Sequence, residues 1–340
     1  MKKSFLYFAA ALAVAGTLLS CNKNMGADPM PVADEVSFGL STKSQVGLPA
    51  DVVTKATAAE SLTSFKASVT SGAVGSEANA SPCWGNVVFT SDGESTPTYM
   101  ASPKKYWPLS NPEYNVYAVA ATGSSSDAVA TEAPDIVFDA AGSTITMAAA
   151  YNKDVACAYL PYGASGDGVA IYKTKNQLTF NHIFARLSTV KVTASGIYEI
   201  SNISIALVDA KTGGVYNLRT GAGQTDGTGW SSLVPADGSL PVIYFKSDAP
   251  IAAGANHIGI DNDLYVVPGD YFIQATWTAS IDDYSQTFTA VNSSSAISLV
   301  GGSVNAIECN LTGNASELTF SVVLTPWGSN TISNVNFPTI

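Results

Sequence analysis

Apolar and polar residues alternate along most of the chain after residue 35, and Gly, Asn, Asp, Ser and Pro interrupt the alternation at short intervals. Apolar side chains at every second position place one face of a strand against a core and the other against water. The spacing of three and four residues that marks an amphipathic helix is almost absent. The pattern therefore predicts an all-β chain, with strands at Val36–Leu40, Val87–Phe89, Val116–Val119, Ile203–Leu207, Leu264–Val267, Tyr271–Trp277 and Leu318–Leu324.

Strands at this spacing are typical of antiparallel β-sandwiches. A chain of 340 residues is longer than one hydrophobic core usually serves, so two domains are expected. We place the boundary near residue 195, because Ala194-Ser195-Gly196 ends an apolar strand and a new alternating series begins at Ile197. The sequence predicts sandwiches over residues 56–195 and 196–315, followed by a strand pair over residues 316–340.

The N-terminus has the pattern of a secretory signal. Lys2 and Lys3 precede an apolar stretch that is too short to span a bilayer comfortably. The stretch ends in Leu18-Leu19-Ser20-Cys21, which resembles a bacterial lipobox, in which signal peptidase II cleaves before a lipidated cysteine. An ordinary signal peptide with a chance cysteine is the alternative. We predict a lipoprotein signal over residues 1–20, lipidation of Cys21, and a tether with one strand over residues 21–55.

The charge balance excludes nucleic acid as a partner. The chain has 16 Lys and Arg against 27 Asp and Glu, for a net charge of −11, and only 13% of its residues are charged. Its two arginines, Arg186 and Arg219, stand apart, and lysines form no cluster larger than a pair. The basic stripe needed to neutralise phosphates is therefore missing.

Candidate catalytic and metal-binding groups are few. His182 lies in an apolar strand, where a hydrogen-bonded core histidine is expected, and His257 is predicted to lie in a loop. Asp282 and Asp283 are expected on opposite faces of a strand, which suits paired acid and base chemistry poorly. The segment 261–263 lacks the glycine and glutamate of a calcium loop. The sequence predicts no enzyme activity, no cofactor and no metal site.

Three cysteines besides Cys21 are far apart in the sequence and form no C-x-x-C pair. A zinc or redox motif needs closer spacing. We therefore interpret Cys83, Cys157 and Cys309 as buried free thiols.

Three further segments carry a resemblance to a known family. Leu178-Thr-Phe-Asn-His-Ile-Phe-Ala-Arg-Leu187 precedes an alternating valine strand, and Lys105-Tyr-Trp-Pro108 precedes Tyr114-Asn-Val-Tyr-Ala118. The tail carries Glu317-Leu-Thr-Phe-Ser-Val-Val-Leu-Thr-Pro-Trp327 and then Ile332 to Phe337. In this order the segments resemble the fimbrillin family of the Bacteroidales, and the resemblance covers essentially the whole chain.

The resemblance implies a subunit of a type V surface pilus, or fimbrium. Its fold would be two transthyretin-like β-sandwiches in tandem with a C-terminal donor strand. It would be exported as a palmitoylated outer-membrane lipoprotein and polymerise after a trypsin-like protease removes the lipidated segment. Its partners would be other fimbrillin subunits, the outer membrane, the protease, and host or bacterial surface ligands.

The residues themselves indicate how one subunit could join the next. Residues 35–41 form an edge-strand candidate, whose Val36, Phe38 and Leu40 would fill a row of core pockets. Excising this strand would leave backbone groups unpaired, and a strand from another subunit could replace it. The period-two apolar spacing needed for such a donor recurs in the tail, at Leu318, Phe320, Val322 and Leu324.

The bond cut in maturation must follow a lysine, because both arginines lie deep in the chain whereas the family often presents an arginine there. Lys55–Ala56 is the first choice, since it precedes the next strand, Leu62–Val69, at the family's spacing. Lys43–Ser44 is the second choice.

Two other functions stay open at this point. The chain could be an uncleaved anchor or tip adhesin of the same family. It could also be a glycan-binding surface lipoprotein that uses its tryptophans as stacking platforms: Trp84, Trp107, Trp230, Trp277 and Trp327.

Overall fold

The computed structural model describes part of the chain, and the structural statements below concern that part. The described ranges are 37–42, 62–71, 82–94, 97–106, 114–122, 128–140, 142–161, 176–236, 242–259, 263–292 and 296–326. The predicted signal, Cys21, Val36 and both candidate cleavage sites lie outside these ranges. None of the helical segments within them is long and apolar enough to cross a membrane.

Strands account for most of the described residues, and helix is limited to short 3-10 turns such as Ala149–Tyr151 and Ala315–Glu317. The first strands are β1 (Ser37–Thr42), β2 (Ser64–Ser71), β3 (Pro82–Ser91), β4 (Thr98–Ala101), β5 (Tyr114–Thr122), β6 (Ala128–Val129), β7 (Val137–Asp139), β8 (Gly142–Met147), β9 (Val155–Pro161), β10 (Asn176–His182) and β11 (Ala185–Ala194). The later ones are β12 (Glu199–Val208), β13 (Lys211–Asn217), β14 (Trp230–Pro235), β15 (Val242–Ser247), β16 (Asn256–Gly259), β17 (Leu264–Val266), β18 (Gly269–Ile281), β19 (Tyr284–Val291), β20 (Ile297–Leu299), β21 (Ser303–Leu311) and β22 (Thr319–Pro326). The all-β prediction is confirmed.

Four sheets organise these strands. The largest has the order β2-β3-β4-β1-β10-β9-β5-β6, and β2 also pairs with β5. Two five-stranded sheets contain β16-β11-β21-β22 with β17, and β15-β12-β18-β19 with β20, and a four-stranded sheet has the order β14-β13-β8-β7. The pairings are antiparallel except for β1 with β10 and β11 with β21, which are parallel.

The described residues form three apolar cores. The first is built from strands of the eight-stranded sheet, such as Phe65 and Leu178. The second lies between the two five-stranded sheets, where Ile307 from one and Trp277 from the other belong to one cluster. The third fills the other face of β5 and β9 and takes side chains from both halves of the chain. Since two sheets share the second core, the predicted sandwich architecture is confirmed.

The chain changes sheets between β10 and β11, earlier than the predicted boundary. β10 pairs with β1 and β9, whereas β11 pairs with β16, β17 and β21. β11 was expected before the boundary near residue 195, but its partners all come from the C-terminal half. The division into two independently folding sandwiches stays a prediction, and a division by sheets would fall at residues 183–184.

Two local expectations are wrong. Asp282 and Asp283 form the turn between β18 and β19 instead of lying within a strand, and Asp282 has the positive φ of 47° that such a turn requires. Aspartate tolerates this conformation better than most residues, because its short side chain can bond locally. His257 lies in β16 and not in a loop, and its ring faces Phe245 at 6.1 Å.

The three cysteines in the described part of the chain are one exposed and two buried thiols, all free. The prediction that Cys83 is buried is wrong, because β3 carries it on an exposed position. Burial raises the pKa of the Cys157 and Cys309 thiols, and the nearby Asp154 carboxylate adds to the effect at Cys157.

We expect Cys83 alone among these three to react with a thiol reagent at neutral pH in the folded protein. The buried thiols lack both solvent access and a thiolate form, which is the reactive species. Counting the thiols modified by a colorimetric disulfide reagent checks this, with Cys21 replaced by serine. A Cys83→Ser variant serves as control and should react only after unfolding. Rapid modification of that variant in the folded state would contradict the assignment.

Candidate strand-exchange site

The strand β1 lies inside the eight-stranded sheet and not at its edge. It pairs in parallel with β10, from Phe38↔Asn176 to Thr42↔Phe180, and antiparallel with β4, from Ser37↔Met100 to Gly39↔Thr98. The predicted edge position is therefore wrong. β1 occupies a slot between two neighbours, so its backbone can bond on both sides.

The strand β10, which flanks β1 on one side, depends on β1 for most of its pairing. Within the described residues, β10 pairs with β9 only at Asn181 and His182, whereas residues 176–180 pair with β1. On the other side β4 pairs with β3 through residues 99–101. Removing β1 would leave one edge of β4 and most of β10 without a partner strand.

The residues that pair with β1 belong to the first core. Phe38 pairs with Tyr99, and Leu40 pairs with Leu178. Tyr99 and Leu178 are essentially fully buried, and Phe180, the partner of Thr42, is nearly so. The slot is therefore flanked by apolar surface that would be costly to expose.

An aromatic cluster fixes the shape of this core. The ring centroid of Phe65 lies 5.6 Å from that of Phe89, 5.3 Å from that of Tyr99 and 5.2 Å from that of Phe180. The Tyr99 hydroxyl donates to the Leu62 carbonyl, and burial raises its pKa. Both walls of the slot, β4 through Tyr99 and β10 through Phe180, thus pack on Phe65 of β2.

The end of β10 is fastened by a polar contact. His182 Nδ1 lies 2.7 Å from a carboxylate oxygen of Asp154, whose side chain is buried. The backbone N–H of Asp154 donates to the Thr122 hydroxyl at 3.0 Å, which ties the start of β9 to the end of β5. This geometry agrees with the structural role expected for His182. The described residues contain no group of three or more His, Cys, Asp or Glu side chains that could hold a metal ion.

The candidate donor strand lies at an edge of another sheet. β22 pairs along its whole length with β21, from Asn310↔Thr319 to Ser303↔Pro326, and has no second neighbour among the described strands. Leu318 immediately precedes it and, like Phe320 and Val322, packs half-buried on the second core, while Leu324 is also half-buried. The alternate residues Thr319 and Ser321 are exposed. The apolar side chains of the tail therefore alternate as the sequence predicts. They pack on a core of the same chain and not on another subunit.

The tryptophans in the described residues pack against aromatic neighbours. Trp277 is fully buried, and its ring is stacked on Phe288 at 5.5 Å. Trp84 packs half-buried on Phe89, and Trp230 packs half-buried against aromatic neighbours. A stacking platform for a sugar needs an open ring face, so these three positions do not favour the glycan-binding alternative.

Comparison with known families decides which group the chain belongs to. The model of a family described as fimbrillin-like matches residues 54–327. The chain is a member of the fimbrillin-like family. The expected resemblance is thereby confirmed, and the matched range begins next to Lys55 and ends just after β22. No match was found among curated protein sequences.

One solved structure shows that this fimbrillin-like protein shares its fold with a protein of low sequence identity, and further matches cover most of their own chains. A candidate cell adhesion protein from Parabacteroides distasonis matches with a TM-score of 0.52 and 11% identity, over 87% of this chain and 97% of that one. A fimbrial protein from Bacteroides vulgatus matches with a TM-score of 0.47 and 14% identity, over 86% and 99%. A C-terminally truncated tip fimbrial protein, Mfa3 from Porphyromonas gingivalis, matches with a TM-score of 0.37 and 9% identity, over 80% and 97%.

Membership of this family supports a structural role in a cell-surface fimbrium. It implies assembly with other fimbrillin subunits rather than enzymatic turnover.

Proposed function

We propose that this fimbrillin-like protein is a structural subunit of a type V surface fimbria that polymerises by strand exchange and supports adhesion. It is exported as a lipoprotein through Cys21, carried to the outer membrane, and matured by a trypsin-like protease. The main support for the proposal is the position of β1 within the eight-stranded sheet. A strand from the N-terminal segment sits between β4 and β10, and its loss would open a slot with two unpaired edges.

Either candidate cleavage would remove the whole of this strand. β1 ends at Thr42, and the two bonds follow Lys43 and Lys55. Val36, Phe38 and Leu40 would leave with it, and the pairing of Leu40 with the buried Leu178 supports their role in filling the first core. The slot would then expose both apolar surface and backbone donors and acceptors.

The tail of another subunit is the proposed replacement for β1. In its own sheet β22 has one neighbour and half-buried side chains, whereas in the slot it would have two neighbours, β4 and β10. The exchange therefore adds a second row of backbone hydrogen bonds. Complete burial of Leu318, Phe320, Val322 and Leu324 at about 1.5–3 kcal/mol each would strengthen the link after ordering costs.

The cleavage site gives the direct test. We expect Lys55→Ala to abolish the ladder of heat-resistant oligomers that the wild-type chain forms with a trypsin-like protease, because β1 stays in its slot. Lys43→Ala is the matched control and should leave the ladder intact. The first residue of the polymerised subunits, found by N-terminal sequencing, should be Ala56.

If the polymerised subunits begin at Ser44, the protease cuts at the second candidate bond, and removal of β1 remains the mechanism. A polymer with another first residue, or a ladder from the double variant lacking both lysines, would contradict removal of β1 at these bonds. Deletion of residues 317–340 separates the two halves of the mechanism, because it should stop polymerisation without preventing the cut. Ladders that survive this deletion would exclude the tail as donor.

A further inference from the structure

The strand β19 is an outer strand among those described, and the proposed strand exchange does not use it. It pairs with β18 in eight consecutive steps without irregularity, from Gln274↔Val291 to Ile281↔Tyr284. Among the described strands it has no other neighbour. Every second residue of such a strand directs its N–H and C=O away from the sheet, where another strand can bond to them.

Other outer strands of the smaller sheets carry features that hinder edge pairing. β7 and β16 are short, with three and four residues. β14 has irregular pairing with β13 and ends in Pro235, and β15 contains Lys246 and an irregularity against β12. β19 has none of these, since its eight residues include no charge and no proline. Natural edge strands of this length usually carry such protection, and its absence here suggests a partner.

Contacts on both faces join β19 to β18. On its outer face, hydroxyl pairs join it to β18 at 3.0–3.1 Å: Thr276 with Thr289, Thr278 with Thr287, and Ser280 with Ser285. On its inner face, Phe288 stacks on the buried Trp277. The edge is therefore ordered before any partner arrives, which lowers the entropic cost of association.

The charges around β19 favour a particular partner orientation. The chain has a net charge of −11, yet β19 is uncharged, so two copies can approach along it without direct repulsion. Asp282 and Asp283 lie at one end, in the turn before β19. Two parallel copies would bring these carboxylates side by side, whereas antiparallel copies keep them at opposite ends, roughly 25 Å apart for a strand of this length.

We propose that β19 is a self-association edge, at which two copies of the chain pair antiparallel about a two-fold axis at Thr287. The residues on the outer face of β19 support this position of the axis. Thr287 would lie opposite Thr287 of the second copy, and Ser285 would lie opposite Thr289, so that every pair brings two hydroxyls together. The two sheets containing β18 and β19 would join into one continuous sheet. The contact uses neither β1 nor β22 and is independent of the proposed strand exchange.

The test compares Thr287→Lys with Thr278→Lys in the uncleaved full chain. Both substitutions break the same hydroxyl pair and place a lysine on the same face, but only Thr287 lies on the edge strand. Sedimentation velocity should show a concentration-dependent dimer for the wild type and for Thr278→Lys. Thr287→Lys should weaken dimerisation at least about tenfold, because the two-fold axis brings the new charges together. An equimolar mixture of Thr287→Lys and Thr287→Glu should restore the dimer.

Disulfide trapping gives a second measurement that does not depend on those variants. A two-fold axis at Thr287 would place the two copies of that residue opposite each other, within the Cα distance that a disulfide accepts. In a background of Cys21→Ser and Cys83→Ser, oxidation should therefore cross-link Thr287→Cys and leave Thr278→Cys uncross-linked.

Three results would overturn the proposal. The first is a wild-type chain that stays monomeric at about 100 μM, and the second is equal loss of the dimer in both lysine variants. The third is a dimer that disappears when residues 317–340 are deleted, which would place the contact at β22.

Discussion

Replacing Trp277 by alanine is expected to lower the free energy of unfolding by about 3–5 kcal/mol. The ring is fully buried between the two five-stranded sheets and stacks on Phe288. Its Nε1–H donates to the Thr312 carbonyl at 2.8 Å, so the substitution removes both a large volume and a hydrogen bond. Guanidinium unfolding followed by circular dichroism measures the loss.

Trp230→Ala is the matched control for this prediction. Trp230 is half-buried, packs between Phe184 and Tyr216, and donates to the Ile183 carbonyl at a longer 3.3 Å. We expect a smaller loss there, because less apolar area is removed from the core. Equal losses at the two positions would show that burial does not set the energetic role of these tryptophans.

Removing β1 is expected to lower the midpoint of the thermal transition in which the first core unfolds by about 4–8 °C. This shift corresponds to a loss of about 2 kcal/mol in the free energy of unfolding for a cooperative unit of about 150 residues. The cut chain loses the strand that pairs with Asn176 to Phe180 and with Thr98 to Met100, and these segments include the buried Leu178 and Tyr99. Calorimetry compares the uncut chain with one that begins at Ala56, at a concentration where both are monomeric.

A peptide of residues 35–42 added in trans should restore the lost stability, because it can refill the slot between β4 and β10. A peptide with Phe38→Asp and Leu40→Asp should have no effect. A peptide with Ser37→Asp and Ser41→Asp keeps the apolar positions and should still stabilise the chain. Equal stabilisation by the two altered peptides would rule out a slot that selects apolar residues at alternate positions.

Local alternation was sufficient to predict strands whose two faces meet different surroundings. In β22, Phe320 and Val322 pack on the core while Thr319 and Ser321 are exposed, as period two requires. The long strand β18 follows the same rule, with Trp277 buried. The family, too, was predicted correctly from the order of its motifs.

Partners distant in the sequence could not be predicted from local patterns. The position of β1 depends on its register with β10, and nothing within either segment encodes that pairing. The parallel partner of β11 is β21, which is also distant in the sequence and cannot be inferred from the local pattern. Alternating residues show that a strand has a buried face but not which sheet receives it.

The turn at Asp282 and Asp283 is not marked by a strong turn signal in the sequence. Ile281 and Tyr284 flank the two aspartates and pair directly with each other. An Asp-Asp pair lacks the glycine that usually marks a two-residue turn. The edge strand β19 is therefore not predicted by the sequence pattern, since without the turn there is no separate β19.

The parallel pairing of β1 with β10 also has a consequence for the timing of biosynthesis. Phe38 is synthesised long before Asn176, the residue with which it pairs. At about 5–20 residues per second, the interval between the two is roughly 7 to 28 seconds. The first core cannot close around β1 during translation of this stretch, so its completion is a late event. A nascent or newly exported chain passes through a period in which any suitable extended segment can compete for that place.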